Sequence, residues 1–225
     1  MFDILKGIFF LLTVSISLEL AAQRELSEGV ITFSQTMSST NEQMNAQLSM
    51  LGDLTTTTYF KKDKSRTELS NPMMGDVTSI FNTENGQMMM VMNNPMMGKV
   101  YTIGSIPGSE QLPDGITIKK GDEVRSLQGY DCQQYLVNMS QEGVDVEIEM
   151  YVTPLIKALN KETLEYLGDF DGGFPLFFKV DSRTPGFEIT MTQEVTSIKS
   201  QQVDDSKFEM TPPDGYKKVD SIPGM

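Results

Sequence analysis

Histidine and tryptophan are absent from this chain of 225 residues, and cysteine occurs once, at Cys132. Without histidine no Ser-His-Asp or Cys-His catalytic system can form, and a zinc or copper site of ordinary mixed composition cannot be built. A single thiol rules out an intramolecular disulfide, so packing must hold the fold. With Asp131 as its one charged neighbour, Cys132 reads as a small buried hydrophobe rather than an activated nucleophile. Basic charge is scarce too: 18 Lys and Arg face 31 Asp and Glu, a net charge of −13, and the basic residues are scattered. No phosphate-tracking surface is expected, and nucleic acid is excluded as a partner. Neither a glycine-rich phosphate loop nor a Gly-x-Ser-x-Gly elbow occurs. Glu147 and Glu149 alternate with apolar residues and read as solvated surface rather than a hydrolytic carboxylate pair. The chain is expected to be non-catalytic, and no cofactor is implied.

Long apolar runs are lacking after residue 20, so no membrane span is expected in the mature chain. The start differs. Lys6 is the one basic residue before an apolar core at residues 8–18, and Leu20-Ala21-Ala22 offers a small-residue exit before Gln23. Residues 1–22 therefore read as a signal peptide removed near Ala22 and Gln23, with the product exported to the periplasm or beyond. Cleavage takes Asp3, Glu19 and Lys6 and leaves a net charge of −12. No cysteine stands at the exit to carry a lipid anchor. Residues 23–219 are expected to form a single domain and residues 220–225 a tail.

Methionine is what the chain has in excess, 17 in all, with eight between residues 71 and 98. There Asn-Pro-Met-Met-Gly occurs twice, at residues 71–75 and 94–98, on either side of a hairpin. Residues 76–81 and 87–92 supply its strands and Asn-Thr-Glu-Asn-Gly at 82–86 its turn. Each Asn-Pro ends a strand, because proline cannot donate to a ladder. Alternation puts Ile31, Phe33 and Met37 on one face of a first strand, residues 29–37, and Val146, Ile148 and Met150 on one face of another, residues 144–151. Further strands are read at 54–61, 65–69, 99–103, 116–120, 123–127, 133–139, 176–180, 187–196 and 207–211. Thr40-Asn41-Glu42-Gln43 resembles a capping box opening a short amphipathic helix that Gly52 closes. A longer helix is expected from Pro154, with Leu155, Ile156, Leu159, Leu164 and Leu167 as its stripe up to Gly168. Asp169-Phe170-Asp171-Gly172-Gly173 lacks the remaining ligands of a calcium loop and reads as a turn.

In this order, strand, short helix, the Tyr59-Phe60-Lys61-Lys62 hairpin, Arg66-Thr67-Glu68-Leu69, Asn71-Pro72, a turn, a Met-rich strand, Asn94-Pro95 and Lys99-Val100-Tyr101 resemble the N-terminal half of the LolA-like group of periplasmic lipoprotein carriers. Gly129-Tyr130-Asp131-Cys132-Gln133-Gln134-Tyr135 and Pro213-Asp214-Gly215-Tyr216 resemble an uncharacterised exported bacterial family that shares the carrier fold. The resemblance implies a mainly β (α+β) fold: one strongly curved antiparallel sheet, an unclosed β-barrel of about ten strands, with two or three helices covering its concave side. It also implies an apolar cavity for acyl chains. Lys62 stands where the carriers keep a basic residue used in handover, with Arg66 as the alternative register. Where the carriers have aromatic residues, this chain has Met88, Met89, Met90 and Met92.

The expected function is therefore binding of a lipid, acyl chain or other hydrophobic small molecule, with a lipoprotein or an envelope protein as further candidate partners. Phe33, Tyr59, Lys62, Arg66, Met88, Met90, Met92, Tyr101, Val146, Ile148 and Met150 are the candidate cavity residues. Unbranched methionine suits such a lining because it repacks cheaply around varied hydrocarbon, though the same residues can fill a core. Two other readings stay open. The Met73, Met74, Met96 and Met97 thioethers could hold Cu(I), or the protein could be a structural or partner-docking envelope module with a filled core.

Overall fold

The computed structural model describes residues 24–73, 75–95, 97–106, 116–141, 143–158 and 172–222. Period-two alternation dominates these residues, and strands are what form. They are β1 (Glu28–Ser39), β2 (Leu54–Lys61), β3 (Lys64–Asn71), β4 (Gly75–Asn82), β5 (Gln87–Asn94), β6 (Gly98–Ser105), β7 (Ile116–Leu127), β8 (Tyr130–Gln141), β9 (Val144–Thr153), β10 (Phe174–Thr184), β11 (Phe187–Lys199) and the two-residue β12 (Lys217–Lys218). All twelve join one sheet in the order β12-β6-β5-β4-β3-β2-β1-β11-β10-β9-β8-β7. Two antiparallel meanders thus flank β1, and the single parallel pair is β12 on β6.

The expected architecture needs correction. Twelve strands replace about ten, and β12 and β7 are the two edges of the open sheet. Residues 116–127 make one bulged strand, β7, rather than two short ones. Two or three helices on the concave side were expected; among the described residues there is one short α-helix, α1 (Glu42–Ser49), which buries no side chain. Its polar sequence, packed chiefly beside β1, explains why it plugs nothing. Its N-cap is Asn41, whose side chain accepts from the Met44 N–H, rather than Thr40. The longer helix does not start at Pro154. The backbone of residues 155–157 is committed to Leu26 instead, through Leu26 N–H to Leu155 O at 2.7 Å and Lys157 N–H to Leu26 O at 2.8 Å. Its remaining residues up to 167, and the Asp169–Asp171 part of the acidic turn, lie outside the described residues.

The strand expected at 207–211 is a 3-10 turn, Asp205–Phe208, followed by extended chain. This C-terminal segment straps the sheet. Val203 and Phe208 pack on Val30 and Tyr59, and Met210 and Tyr216 on Ile80, Met89, Tyr101 and Ile103. The chain then turns round the β6 edge as β12, with Val219 N–H bonded to Tyr101 O at 2.9 Å. Beyond it Ile222 packs on Met92 and Val100, on the other face. No described helix is long and apolar enough to cross a membrane.

Candidate functional site

Register decides which side chains share a face. Phe33 pairs with Thr56 and Val195, Thr56 with Leu69, and Leu69 with Val77; Phe178 pairs with Gln193. All of these but Val195 line a groove of about 390 Å³ together with Thr58, Ser65, Thr67, Phe81, Phe174 and Ala158. Its walls come from β4 on one side and β10 on the other, five strand spacings apart and therefore roughly 24 Å in a flat sheet. For Phe81 and Phe174 to border one space, the sheet must curl. The groove's chemistry is mixed in an ordered way. Phe33, Phe81, Phe174 and Phe178 with Leu69 and Val77 form apolar walls, and Thr56, Thr58, Ser65 and Thr67 lay a seam of hydroxyls along β2 and β3. Thr58 and Thr67 satisfy one another at 3.1 Å. Phe33, only 3 % exposed, is braced by Phe174 with ring centroids 6.1 Å apart.

Of the candidates named from the sequence, Phe33 alone lines this groove. Tyr59 and Arg66 pair with each other on the opposite face. There Lys207 Nζ lies 4.2 Å from the Tyr59 ring centre, and Arg66 donates to Glu68 and to Lys207 O. Lys62 sits exposed at the β2–β3 turn with φ 51°. Tyr101 is also on the opposite face, beside Val91. Met88, Met90 and Met92 do share the groove's face by register, but lie further round the curl, where Ile222 and Val219 cover Met92 and Met90. Val146, Ile148 and Met150 are half-buried on the same face as Phe178, outside the groove lining. Met150 packs with Ile118 against Tyr135 and Val152. The hydroxyl seam and the β10 phenylalanines went unrecognised, although the pairing of a Thr-rich strand with Phe33 was a usable signal.

The two Asn-Pro turns come out as neighbours on adjacent hairpins. In each, the asparagine side chain accepts from the backbone, Asn71 from Met73 N–H at 2.8 Å and Asn94 from Met97 N–H at 3.2 Å. Met73 and Met97 project into solvent; Met74 and Met96 lie outside the described residues. Among the described residues no group of three or more Asp, Glu or Cys could hold a metal ion.

The most ordered ionisable cluster faces away from the groove. Tyr151 is fully buried, and its single hydroxyl proton is shared between Glu123 at 2.7 Å and Glu149 at 3.0 Å. Gln134 donates to the same Glu149 oxygen, and the Arg125 guanidinium lies 4.0 Å from the Tyr151 ring centre. Burial first, and then the two carboxylates, push the phenol well above its ordinary range, so it remains a donor and acts as a strut. The β7 bulge makes this possible by bringing Glu123 over the sheet, with Gln133 Nε2 donating to Gly121 O at 2.7 Å inside it.

Neither a family model nor a curated protein matches the chain. Among solved structures it is similar to PNGF-II in two crystal forms, at 16 % and 15 % identity with TM-scores of 0.44 and 0.43. These likenesses cover 86 % and 87 % of this chain but only 31 % and 32 % of PNGF-II, so the chain spans about a third of the length of that protein.

Proposed function

We propose that this is an exported, non-catalytic binding protein of LolA-like kind that holds an acyl chain or similar hydrophobic ligand against its curled sheet. The observation that carries the reading is the groove itself. It is open to solvent, apolar on both walls, and crossed by a hydroxyl seam that leaves no side-chain N or O buried without a partner. A hydrocarbon chain would gain from displacing water off the half-buried Phe81, Phe178, Leu69 and Val77, and the threonines can meet a polar head. The ligand position therefore moves from the methionine strand to the β1–β4 and β10 surface. The tail's cover over Met90 and Met92 supports a packing role for them.

Native mass spectrometry of protein purified without detergent, followed by organic extraction, tests this directly, with copper quantified on the same sample. A one-to-one acyl adduct is expected. Thr67→Tyr, which fills the groove from its floor, should lower uptake of a fluorescent fatty acid about tenfold or more. The triple change of Met88, Met90 and Met92 to Leu should leave uptake nearly unchanged. Equal uptake by the Thr67→Tyr protein would overturn the groove assignment, and stoichiometric copper without lipid would favour the thioether reading.

A further inference from the structure

In an antiparallel meander the connections alternate between two ends of the sheet. Those after β1, β3, β5, β8 and β10 share one end, and those after β2, β4 and β7 the other. Seven large apolar side chains are exposed among the described residues, and five stand at the first end: Met50 (72 %), Met73 (57 %) and Met97 (38 %) in its connections, and Val144 (36 %) and Phe187 (39 %) as the first residues of β9 and β11. The other two, Val124 and Leu136, lie within strands β7 and β8. The opposite end shows none of the seven and instead carries Lys62, Asp63 and Glu84 in its turns, with Lys61 and Lys64 at the strand ends beside them.

We propose that the apolar end is a docking rim for a neutral lipid surface, with the five tips entering its interfacial layer. A protein partner would require a contiguous desolvated centre with aromatic or arginine anchors; here single side chains, three of them flexible methionines, stand at separate connections. A lipid interface has no fixed shape and accepts scattered tips of this kind. Charge complementarity points to a neutral surface. The turns at residues 71–75, 94–98 and 184–187 bear no charge, the connection that carries Met50 adds only the acidic Glu42 and Asp53, and Arg183 is held by Glu147 and Glu188. The chain's net −13 gives no attraction to anionic lipid. The rim also adjoins the groove: Leu69 and Val77 of its lining each lie two residues from the ends of the turn that carries Met73. Docking does not depend on what the groove holds.

Flotation of the purified protein, its N terminus mapped by mass spectrometry, with vesicles of phosphatidylcholine alone and mixed with phosphatidylglycerol provides the test. The wild-type protein should float with phosphatidylcholine vesicles, with no gain from phosphatidylglycerol and little change in high salt. Combined Met50→Ser, Met73→Ser, Met97→Ser and Phe187→Ser should reduce partitioning about tenfold or more at unchanged thermal stability, because all four side chains are exposed. Fatty-acid uptake in the absence of vesicles should be preserved in this variant, whereas Thr67→Tyr should lose uptake and still float. Flotation equal to wild type in the four-site variant would overturn the rim. So would a requirement for anionic lipid abolished by salt. A wild-type dimer that fails to float and that the four substitutions dissolve would make the rim an interface between copies of this chain instead.

Discussion

Gly75 and Gly98 close the two copies of one pentapeptide, yet they stand in different surroundings. Both adopt the left-handed backbone, at φ 89° and 75°. A side chain on Gly98 would meet nothing within 4 Å, whereas a Cβ on Gly75 would run into the Asn93 carbonyl oxygen and sit 2.9 Å from Asn94 Cα. Gly98→Ala should therefore cost about 1 kcal/mol, the conformational share alone. Gly75→Ala should cost about 3 kcal/mol or more, because both colliding groups are backbone. Urea titration of the two variants checks this, and equal losses would contradict the close approach of the turns. The repeat was legible in the sequence, but nothing local told its copies apart, since that difference lies in which hairpin leans on the other. Cys132 shows the opposite situation. Its apolar, weakly charged setting was readable, and burial does push the thiol up to about 11.

At the scale of elements, β10 and β11 are tied on the face away from the groove by Asp181, which accepts from Lys179 at 2.8 Å and from Thr190. Burial pushes this carboxyl upward, but the hydrogen bonds from Lys179 and Thr190 outweigh it and hold it below its ordinary value. A depressed folded value contributes stability above the unfolded pKa of about 4, and that contribution is lost as pH falls through the folded one. Asp181→Asn should accordingly cost about 1 kcal/mol at pH 7, and the gap to wild type should narrow in acid; urea midpoints measured at both pH values test the sign. Strands were the most readable elements because their alternation is local. The C-terminal strap was misread for the same reason. Phe208 and Met210 alternate as a strand would, yet they dock separately on Tyr59 and on the β5–β6 face, and Pro212-Pro213 denies the following chain a ladder.

For the whole molecule, the groove was the least legible feature, because it exists only where the curl brings β4 towards β10, and no local pattern encodes that distance. An open sheet of twelve strands also has two edges to protect. Edge β7 protects itself through its bulge and through Lys119, Lys120, Asp122, Glu123 and Arg125. Edge β6 has Val100, Tyr101 and Ile103 with one flanking lysine, Lys99, and relies on the tail: β12 occupies its backbone groups and Ile222 covers Met92 and Val100. A chain ending at Tyr216 should lose about 2–3 kcal/mol from the uncovered apolar contacts. It should also self-associate with increasing concentration, through an edge that now has unpaired N–H and C=O groups. Adding Thr102→Lys to the shortened chain should restore the monomer without restoring stability, because the lysine blocks edge pairing but replaces none of the burial under Ile222. Sedimentation velocity and urea titration on the three proteins separate the two effects. A shortened chain that stays monomeric at every concentration would mean that the tail contributes packing alone and that some other part of the fold guards β6.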